Sequence, residues 1–108
     1  MATTYKVLGQ SNPAAITVTT LYTSPSATSA VCSTLVIANL GVSTTFRVAI
    51  RPAGAALANQ HYIAYGTPVN QYDTMFLTLG ITLATTDVVS VYAGTATVAF
   101  SLFGSEIA

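Results

Sequence analysis

Hydrophobic and polar residues alternate with a period of two along most of the chain, and residues 74–82 show this most clearly. One side of this run carries Met75, Leu77, Leu79 and Ile81. The other side carries Phe76 and three threonines. Because side chains of a strand point alternately to its two faces, this pattern predicts a half-buried β-strand.

Seven further runs are rich in Thr, Val, Ile and aromatic residues, which suit strands, and Gly, Pro, Ser or Asn separate them. The predicted strands cover residues 5–8, 15–22, 30–39, 44–51, 61–65, 74–82, 88–93 and 96–103. This spacing predicts an all-β fold, a single-domain antiparallel β-sandwich of about eight strands over residues 1–108, of jelly-roll or Greek-key type.

Several details of this prediction can be checked against the structure. The last two runs predict a hairpin around Gly94-Thr95, and residues 104–108 are expected to form a tail. The continuous apolar centre of residues 30–39 predicts a strand that is covered on both faces. Gly80 is expected to mark a bulge or a close neighbour. Residues 52–60 lack alternation and predict a loop or one short helical turn.

Charged residues are very few, with three Lys and Arg against three Asp and Glu, or 6% of the chain. Ordinary soluble domains carry about 25%. A folded monomer of this mass exposes roughly 5,600 Å², or about one charge per 900 Å². A standard interface covers about 800 Å² on each partner and would fit between the charges. Since near-zero net charge also favours association, we expect a homo-oligomer.

The same composition argues against several classes of partner. Three basic residues cannot neutralise the roughly six to ten phosphates that a DNA-binding protein contacts. No apolar run approaches the about 20 residues of a membrane-spanning helix, and we expect no secretion signal. Cys32 cannot form an internal disulfide as the single cysteine and is expected to be a small buried hydrophobe.

Candidate catalytic or metal-binding groups are sparse. The chain has one His, one Cys and three acidic residues, and it lacks a Gly-x-Ser-x-Gly motif and a phosphate-binding glycine loop. His61 and Asp73 are twelve residues apart, which is a weak basis for a metal site or a triad. We therefore expect a protein that is not an enzyme and has no cofactor or metal.

Two features suggest an interface instead. Arg47 and Arg51 fall on one face of a predicted strand, from which they could bind a carboxylate of a neighbouring subunit. His61, Tyr62 and Tyr72 belong to a tyrosine-rich stretch flanked by loops, and tyrosine is enriched at protein interfaces. Ordinary core tyrosines and solvated arginines are the alternative explanations.

Alternation assigns the tyrosines of this stretch to different faces. Tyr62 and Ala64 share one face, while Ile63 and Tyr65 share the other. Because Ile63 favours the core, Tyr65 is predicted to be buried and Tyr62 to lie at the interface.

Six segments carry a resemblance to a known group of proteins. They are YKVLGQ at residues 5–10, TLYT at 20–23, FRVAIRPAG at 46–54, NQHYIAY at 59–65, LGITL at 79–83 and DVV at 87–89. Together they resemble small virion structural proteins of tailed bacteriophages, notably phages of cyanobacteria. The resemblance spans nearly the whole chain, and its motifs are structural.

The resemblance implies a protein of the virion, made in the host cytoplasm, whose partner is the major capsid protein or another virion protein. A capsid decoration (cement) protein, with a trimer as the favoured homo-oligomer, is the leading expectation. The alternative is a tail- or fibre-associated module, either structural or receptor-binding. The resemblance transfers no catalytic residue, and no nucleic acid or membrane is expected as a partner.

Overall fold

The computed structural model describes residues 2–108 apart from the side chain of Leu79, so the predicted face of that side chain lies outside the described residues. The strands are β1 (Thr3–Ser11), β2 (Thr19–Thr23), β3 (Ser29–Asn39), β4 (Thr44–Arg51), β5 (Tyr62–Val69), β6 (Thr74–Leu83), β7 (Val88–Ala93) and β8 (Val98–Ile107). The predicted loop before β5 is present, but it contains two 3-10 turns, Pro52–Gly54 and Asn59–His61, so His61 ends a turn rather than beginning the strand. No helix in residues 2–108 is long and apolar enough to cross a membrane.

The strands form two four-stranded antiparallel sheets. The first sheet has the order β1-β8-β3-β6 and the second has the order β2-β7-β4-β5. Eight strands in these two sheets form a jelly roll, so the predicted antiparallel sandwich is confirmed. Among the described strands, β4 and β5 are the one pair that is adjacent both in sequence and in a sheet.

The hydrophobic core lies between the two sheets. Phe46 on β4 meets Phe100 on β8 edge to face, with ring centroids 6.1 Å apart, so one aromatic pair joins the sheets. Leu35 and Ile37 on β3 are fully buried beside them. Cys32 is buried as predicted, and this burial raises the pKa of its thiol to about 11.

The predicted hairpin of the last two runs is wrong. Strand β7 pairs with β2 and β4 in the second sheet, whereas β8 pairs with β1 and β3 in the first. The predicted tail is also wrong, because β8 continues to Ile107 and is hydrogen-bonded on both sides. A short Gly-containing link is compatible with a hairpin and with a crossing between sheets, so the local sequence cannot distinguish them.

The start of the second predicted strand is wrong as well. Residues 15–18 precede β2, and Ile16 and Val18 are exposed rather than aligned with Tyr22 in the core. Ile16 has a positive φ of 55°, a turn conformation that breaks the extended run.

Strand β3 faces the core on one side only, although its apolar centre predicts cover on both. Ala30 and Cys32 point inward before Ser33, and Leu35 and Ile37 point inward after it. The register to β8 shifts between Cys32 and Thr34, so Ser33 is an extra residue that reverses the alternation. The bulge and the half-buried valines on the outer side together explain why the run looks uniformly apolar.

Two glycines of the first sheet have opposite surroundings. The register from β3 to β6 leaves residues 79 and 80 opposite Ser33, which confirms the predicted bulge at Gly80. A Cβ atom at Gly80 would meet no atom within 4 Å. A Cβ atom at Gly104 would collide with the carbonyl oxygen of Val31. The close approach of β8 to β3 at this point therefore requires glycine at position 104.

Buried Asn39 fixes the loops at one end of the sandwich. Its amide nitrogen donates to the carbonyl oxygens of Val42, Val69 and Asn70, at 2.7, 3.4 and 3.0 Å. Its side-chain oxygen accepts hydrogen bonds from the Gly41 amide and the Thr97 hydroxyl. Three loops are thereby held together around one side chain.

Candidate functional site

A hydrogen bond from Tyr22 to Glu106 joins the two sheets, beside an ion pair between Lys6 and Glu106 within the first sheet. Lys6 lies 3.2 Å from Glu106, and the Tyr22 hydroxyl donates to the other carboxylate oxygen at 2.5 Å. Tyr22 belongs to the second sheet and Glu106 to the first. The hydrogen bond from Tyr22 holds the pKa of Glu106 below its ordinary value, with a smaller contribution from Lys6 and against the effect of burial. Burial and then Glu106 raise the pKa of Tyr22.

Arg51 holds the long loop against the second sheet. Its Nε donates to the Ala55 carbonyl at 2.8 Å, and its Nη atoms donate to the Gly54 carbonyl and the Ser90 hydroxyl, each at 3.2 Å. Asp87 supports the same loop by accepting a hydrogen bond from the Ala53 amide at 2.8 Å. The guanidinium of Arg51 therefore has partners within the chain, and its predicted role at an interface stays a prediction.

Arg47 lies between two tyrosine rings on the outer face of the second sheet. Its guanidinium carbon is 4.2 Å from the ring centroid of Tyr65 and 4.2 Å from that of Tyr92. Tyr92 is the cross-strand partner of Arg47 on β7, and Tyr65 lies on β5. Because β7 and β5 flank β4, the two rings approach the guanidinium from opposite sides. We call Arg47, Tyr62, Tyr65 and Tyr92 the tyrosine–arginine cluster.

Two bulges in β5 bring the tyrosines to one face and overturn the predicted alternation. Val48 pairs with Ala64, while the next residue of β4, Ala49, pairs with Tyr62, so Ile63 is an extra residue. A second register shift between Phe46 and Val48 leaves residues 65 and 66 unpaired, where Gly66 has a positive φ of 63°.

The prediction that Tyr65 is a core residue is therefore wrong. Tyr65 is 61% exposed, and Ala64 takes the inward position against the core. Tyr62 is half-buried and meets Tyr65 edge to face, with ring centroids 4.9 Å apart. Strict alternation fails here because each bulge turns the following side chain to the other face.

A small open pocket adjoins the tyrosine–arginine cluster. It has a volume of about 370 Å³ and is lined by Asn59, Tyr62 and Tyr65. Asn59 opens the 3-10 turn that leads into β5, so the long loop forms one wall and the strand forms another. Tyr65 both lines this pocket and stacks on Arg47, which places a cation next to an aromatic cavity.

His61 and Tyr72, which were also predicted to lie at an interface, do not line this pocket. His61 is half-buried in the same 3-10 turn, and its Nδ1 accepts a hydrogen bond from the Ala58 amide at 3.1 Å. Tyr72 is 75% exposed in the turn after β5, at the opposite end of the strand from Tyr62. Eight residues of strand separate the two ends by roughly 25 Å, so Tyr62 and Tyr72 cannot contact one ligand group.

The outer face of the first sheet is apolar. The cross-strand pairs Val7–Phe103 and Val36–Phe76 lie on it, as do Tyr5 and Val31, which are both paired with Ser105. Tyr5 is 84% exposed and Phe76 is 68% exposed. We call these six residues the apolar face: Tyr5, Val7, Val31, Val36, Phe76 and Phe103.

A shallow groove of about 650 Å³ runs across the apolar face. It is lined by Tyr5, Val7, Val31, Phe103 and several small residues, together with Lys6. Lys6 is the one charged residue lining this groove, and its ammonium group is paired with Glu106. The other side chains that point outward between the apolar ones are Ser, Thr, Ala and Gln.

Sequence reasoning missed Tyr65, Tyr92, Tyr5 and Phe76 as surface residues with a candidate role. The alternation of β6 places Phe76 on the face that points away from the core, so its exposure could have been predicted from the sequence. Tyr92 joins Arg47 only through the pairing of β4 with β7, which are distant in sequence. That contact could not be found before the strand order was known.

The described residues contain no group of three or more His, Cys, Asp or Glu side chains that could hold a metal ion. In comparisons with known proteins, no family model, curated protein or solved structure matches this chain.

Proposed function

We propose that this chain is a non-enzymatic structural protein of a bacteriophage virion, most simply a capsid decoration protein. The observation that carries the proposal is the apolar face, where four strands of one sheet expose large apolar side chains between small polar ones. Exposed patches of this kind commonly mark protein–protein contacts. The sequence resemblance to small phage virion proteins supports the same assignment.

The size of the apolar face fits attachment to a protein. Four strands spaced about 4.8 Å apart give a width of about 19 Å, and eight residues of strand give about 27 Å, so the face covers about 500 Å². That area is somewhat below the roughly 800 Å² per partner of a standard interface. Neighbouring loops, or contacts between copies in a homo-oligomer, would supply the remainder.

The charges support attachment through apolar burial. Lys6 and Glu106 pair with each other, while Arg51 and Asp87 bind the long loop of their own chain. Few charged groups therefore need a partner on the particle. The complementary surface of the major capsid protein, or of another virion protein, is then expected to be apolar and poor in charge.

One pair of variants tests this proposal. Phe76→Lys places a charge on the apolar face at an exposed position, and Ile63→Lys places one on the second sheet, where Ile63 is also exposed. Binding to phage particles stripped of this protein should weaken at least thirtyfold in Phe76→Lys. The variant loses an aromatic contact typically worth about 2 kcal/mol and would have to bury a lysine in its place. Ile63→Lys should bind as the unmodified protein does.

Equal thermal midpoints of the two variants would show that both are folded. Normal attachment of Phe76→Lys would exclude the apolar face as the attachment surface. Failure of the unmodified protein to rebind any part of the virion would refute the structural role itself.

The pocket beside the tyrosine–arginine cluster favours a second candidate, a receptor-binding module of the tail or fibre. A structural cement needs no aromatic pocket, whereas a ligand-binding module does. Copy number per particle separates the two candidates. A decoration protein recurs over the whole head, and a tail module is present in few copies.

A further inference from the structure

The guanidinium of Arg47 differs from the other basic groups of the chain. Lys6 pairs with Glu106, and Arg51 donates three hydrogen bonds. Arg47 is half-buried, yet within residues 2–108 its side chain makes no hydrogen bond and no ion pair. Tyr65 and Tyr92 cover it from two sides, so its N–H groups are directed outward at the edge of the guanidinium plane.

The stacking prepares this group for a planar anion. The tyrosine rings hold the guanidinium in place through cation–π contacts and reduce the rotamer freedom that a binding event would remove. A guanidinium presents its N–H groups as a fork that matches the two oxygens of a carboxylate. Asp87, in the turn before β7, is engaged elsewhere, because its two oxygens accept hydrogen bonds from the Ala53 and Ala84 amides.

The pocket next to Arg47 has the size and lining of a small-ligand site. Its volume of about 370 Å³ lies near the lower end of the range of small-molecule pockets, about 300–1,000 Å³. Tyr62 and Tyr65 meet at 82° and present aromatic surface, while Asn59 offers an amide donor and acceptor. Aromatic surface beside an amide is suited to a ring that has apolar C–H faces and polar hydroxyl edges, as a pyranose has.

We propose that this pocket binds a carboxylate-bearing saccharide. The sugar ring packs on Tyr62 and Tyr65, its hydroxyl groups bind Asn59, and its carboxylate pairs with the edge of Arg47. A neutral saccharide lacks the group that Arg47 would bind, and a cationic ligand is repelled. This inference goes beyond the proposed structural role.

The site and the apolar face lie on opposite sides of the sandwich. A copy attached through the apolar face of the first sheet leaves the second sheet facing away from the particle. Ligand binding and attachment are therefore independent, and either can fail while the other holds.

The first test is a titration of the isolated protein with saccharides that differ in one group. The probes are an oligogalacturonate, its methyl ester, and an oligosaccharide of a sialic-type acid, with tyrosine fluorescence and NMR shifts as readouts. At least one free acid should bind at millimolar or lower concentration, and the methyl ester should bind about tenfold more weakly or not at all. Binding of neither acid, or equal binding of acid and ester, would overturn the proposal.

The second test uses variants of the site. Arg47→Gln should abolish binding of the acid, and Arg47→Lys should weaken it about tenfold because the charge remains but the fork is lost. Tyr72→Ala is the matched control, since Tyr72 is exposed at the far end of β5, and it should bind normally. Thermal midpoints establish that each variant is folded.

Acid binding that survives Arg47→Gln in a folded protein would refute the site. Binding of an acidic peptide in place of the sugars, lost in Arg47→Gln, would also refute the saccharide and identify a protein partner.

Discussion

The two outer faces of this jelly roll have opposite characters, although the sheets beneath them are built alike. The first sheet leaves Tyr5, Val7 and Phe76 exposed. The second sheet is partly covered by its own chain, because the loop after β4 folds back and Arg51 binds it. As a result Ala49, which points outward from the second sheet, is buried, whereas the residues of the apolar face on the first sheet are half-buried or exposed.

This difference shows how one fold can separate two kinds of surface. A uniform apolar face suits a broad contact that requires little specificity of orientation. A cation held between tyrosines suits a small ligand with a defined charge. The first face follows strand alternation with one reversal at the bulge of Ser33. The second needs two bulges in β5, a loop and three strands in a fixed order.

The largest expected effect concerns the backbone of the first sheet. Gly104→Ala should lower the free energy of unfolding by about 3 kcal/mol or prevent folding, because the added methyl group collides with the Val31 carbonyl. Gly80→Ala, with open space around it, should change it by less than about 1 kcal/mol. Urea unfolding measures both, and similar losses in the two variants would contradict the close approach of β3 and β8.

A smaller effect separates the two arginines of β4. Arg51→Ala should lower the free energy of unfolding by about 2 kcal/mol and open residues 52–58 to proteolysis, since three hydrogen bonds are lost. Arg47→Ala should cost about 1 kcal/mol, the typical value for exposed cation–π contacts, and leave the loop protected. Faster cleavage of the loop in Arg47→Ala than in Arg51→Ala would reverse the roles assigned here.

The dependence of stability on pH tests the contact that joins the two sheets. Because folding lowers the pKa of Glu106, its carboxylate stabilises the fold at pH values above 4.5, the ordinary pKa of this group. This stabilisation is lost as the pH falls through the lowered pKa. Burial raises the pKa of Tyr22 and of Cys32, so these groups ionise more easily in the unfolded chain than in the folded protein. Stability is therefore lost as the pH rises above about 9 to 10, the ordinary pKa range of the two groups. We therefore expect a plateau of thermal midpoint between about pH 5 and pH 9.

Glu106→Gln should flatten the acid side of that profile, whereas Asp73→Asn, at an exposed turn, should preserve it. An unchanged acid side in Glu106→Gln would show that the Tyr22–Glu106 hydrogen bond does not control stability at low pH.

The smallest expected effect is that of salt on attachment. At about 1 M salt the Debye length falls to about 3 Å, which screens exposed charges but not apolar burial. Attachment through the apolar face should change less than about twofold, and binding of an acidic saccharide at Arg47 should weaken clearly over the same range. Release of the protein by salt alone would mean that charged contacts hold it on the particle.

Much of the architecture could be predicted from the sequence. Period-two alternation identified the eight strand regions and the inward side of β6, because that signal is local to each strand. Gly80 indicated its bulge, and the position of Cys32 indicated burial. The charge content indicated surfaces poor in charge before any fold was known.

The candidate sites were only partly predictable. Arg47 and Tyr62 were named from the sequence, but Tyr65 was assigned to the core, because the bulges of β5 depend on pairing with β4. Tyr72 was grouped with Tyr62 by proximity in sequence, and an intervening strand separates them.

The sequence by itself determined which segments become strands, which side of most of them is apolar, and how few charges the surface carries. The tertiary structure alone decided that β7 and β8 belong to different sheets and that Tyr92 meets Arg47. It also decided that the long loop partly covers the outer face of the second sheet, while the outer face of the first sheet has no such cover. The physical reason is that nearly all strand pairs here join residues distant in sequence, and such pairings are selected by the packing of the whole sandwich rather than by any local pattern.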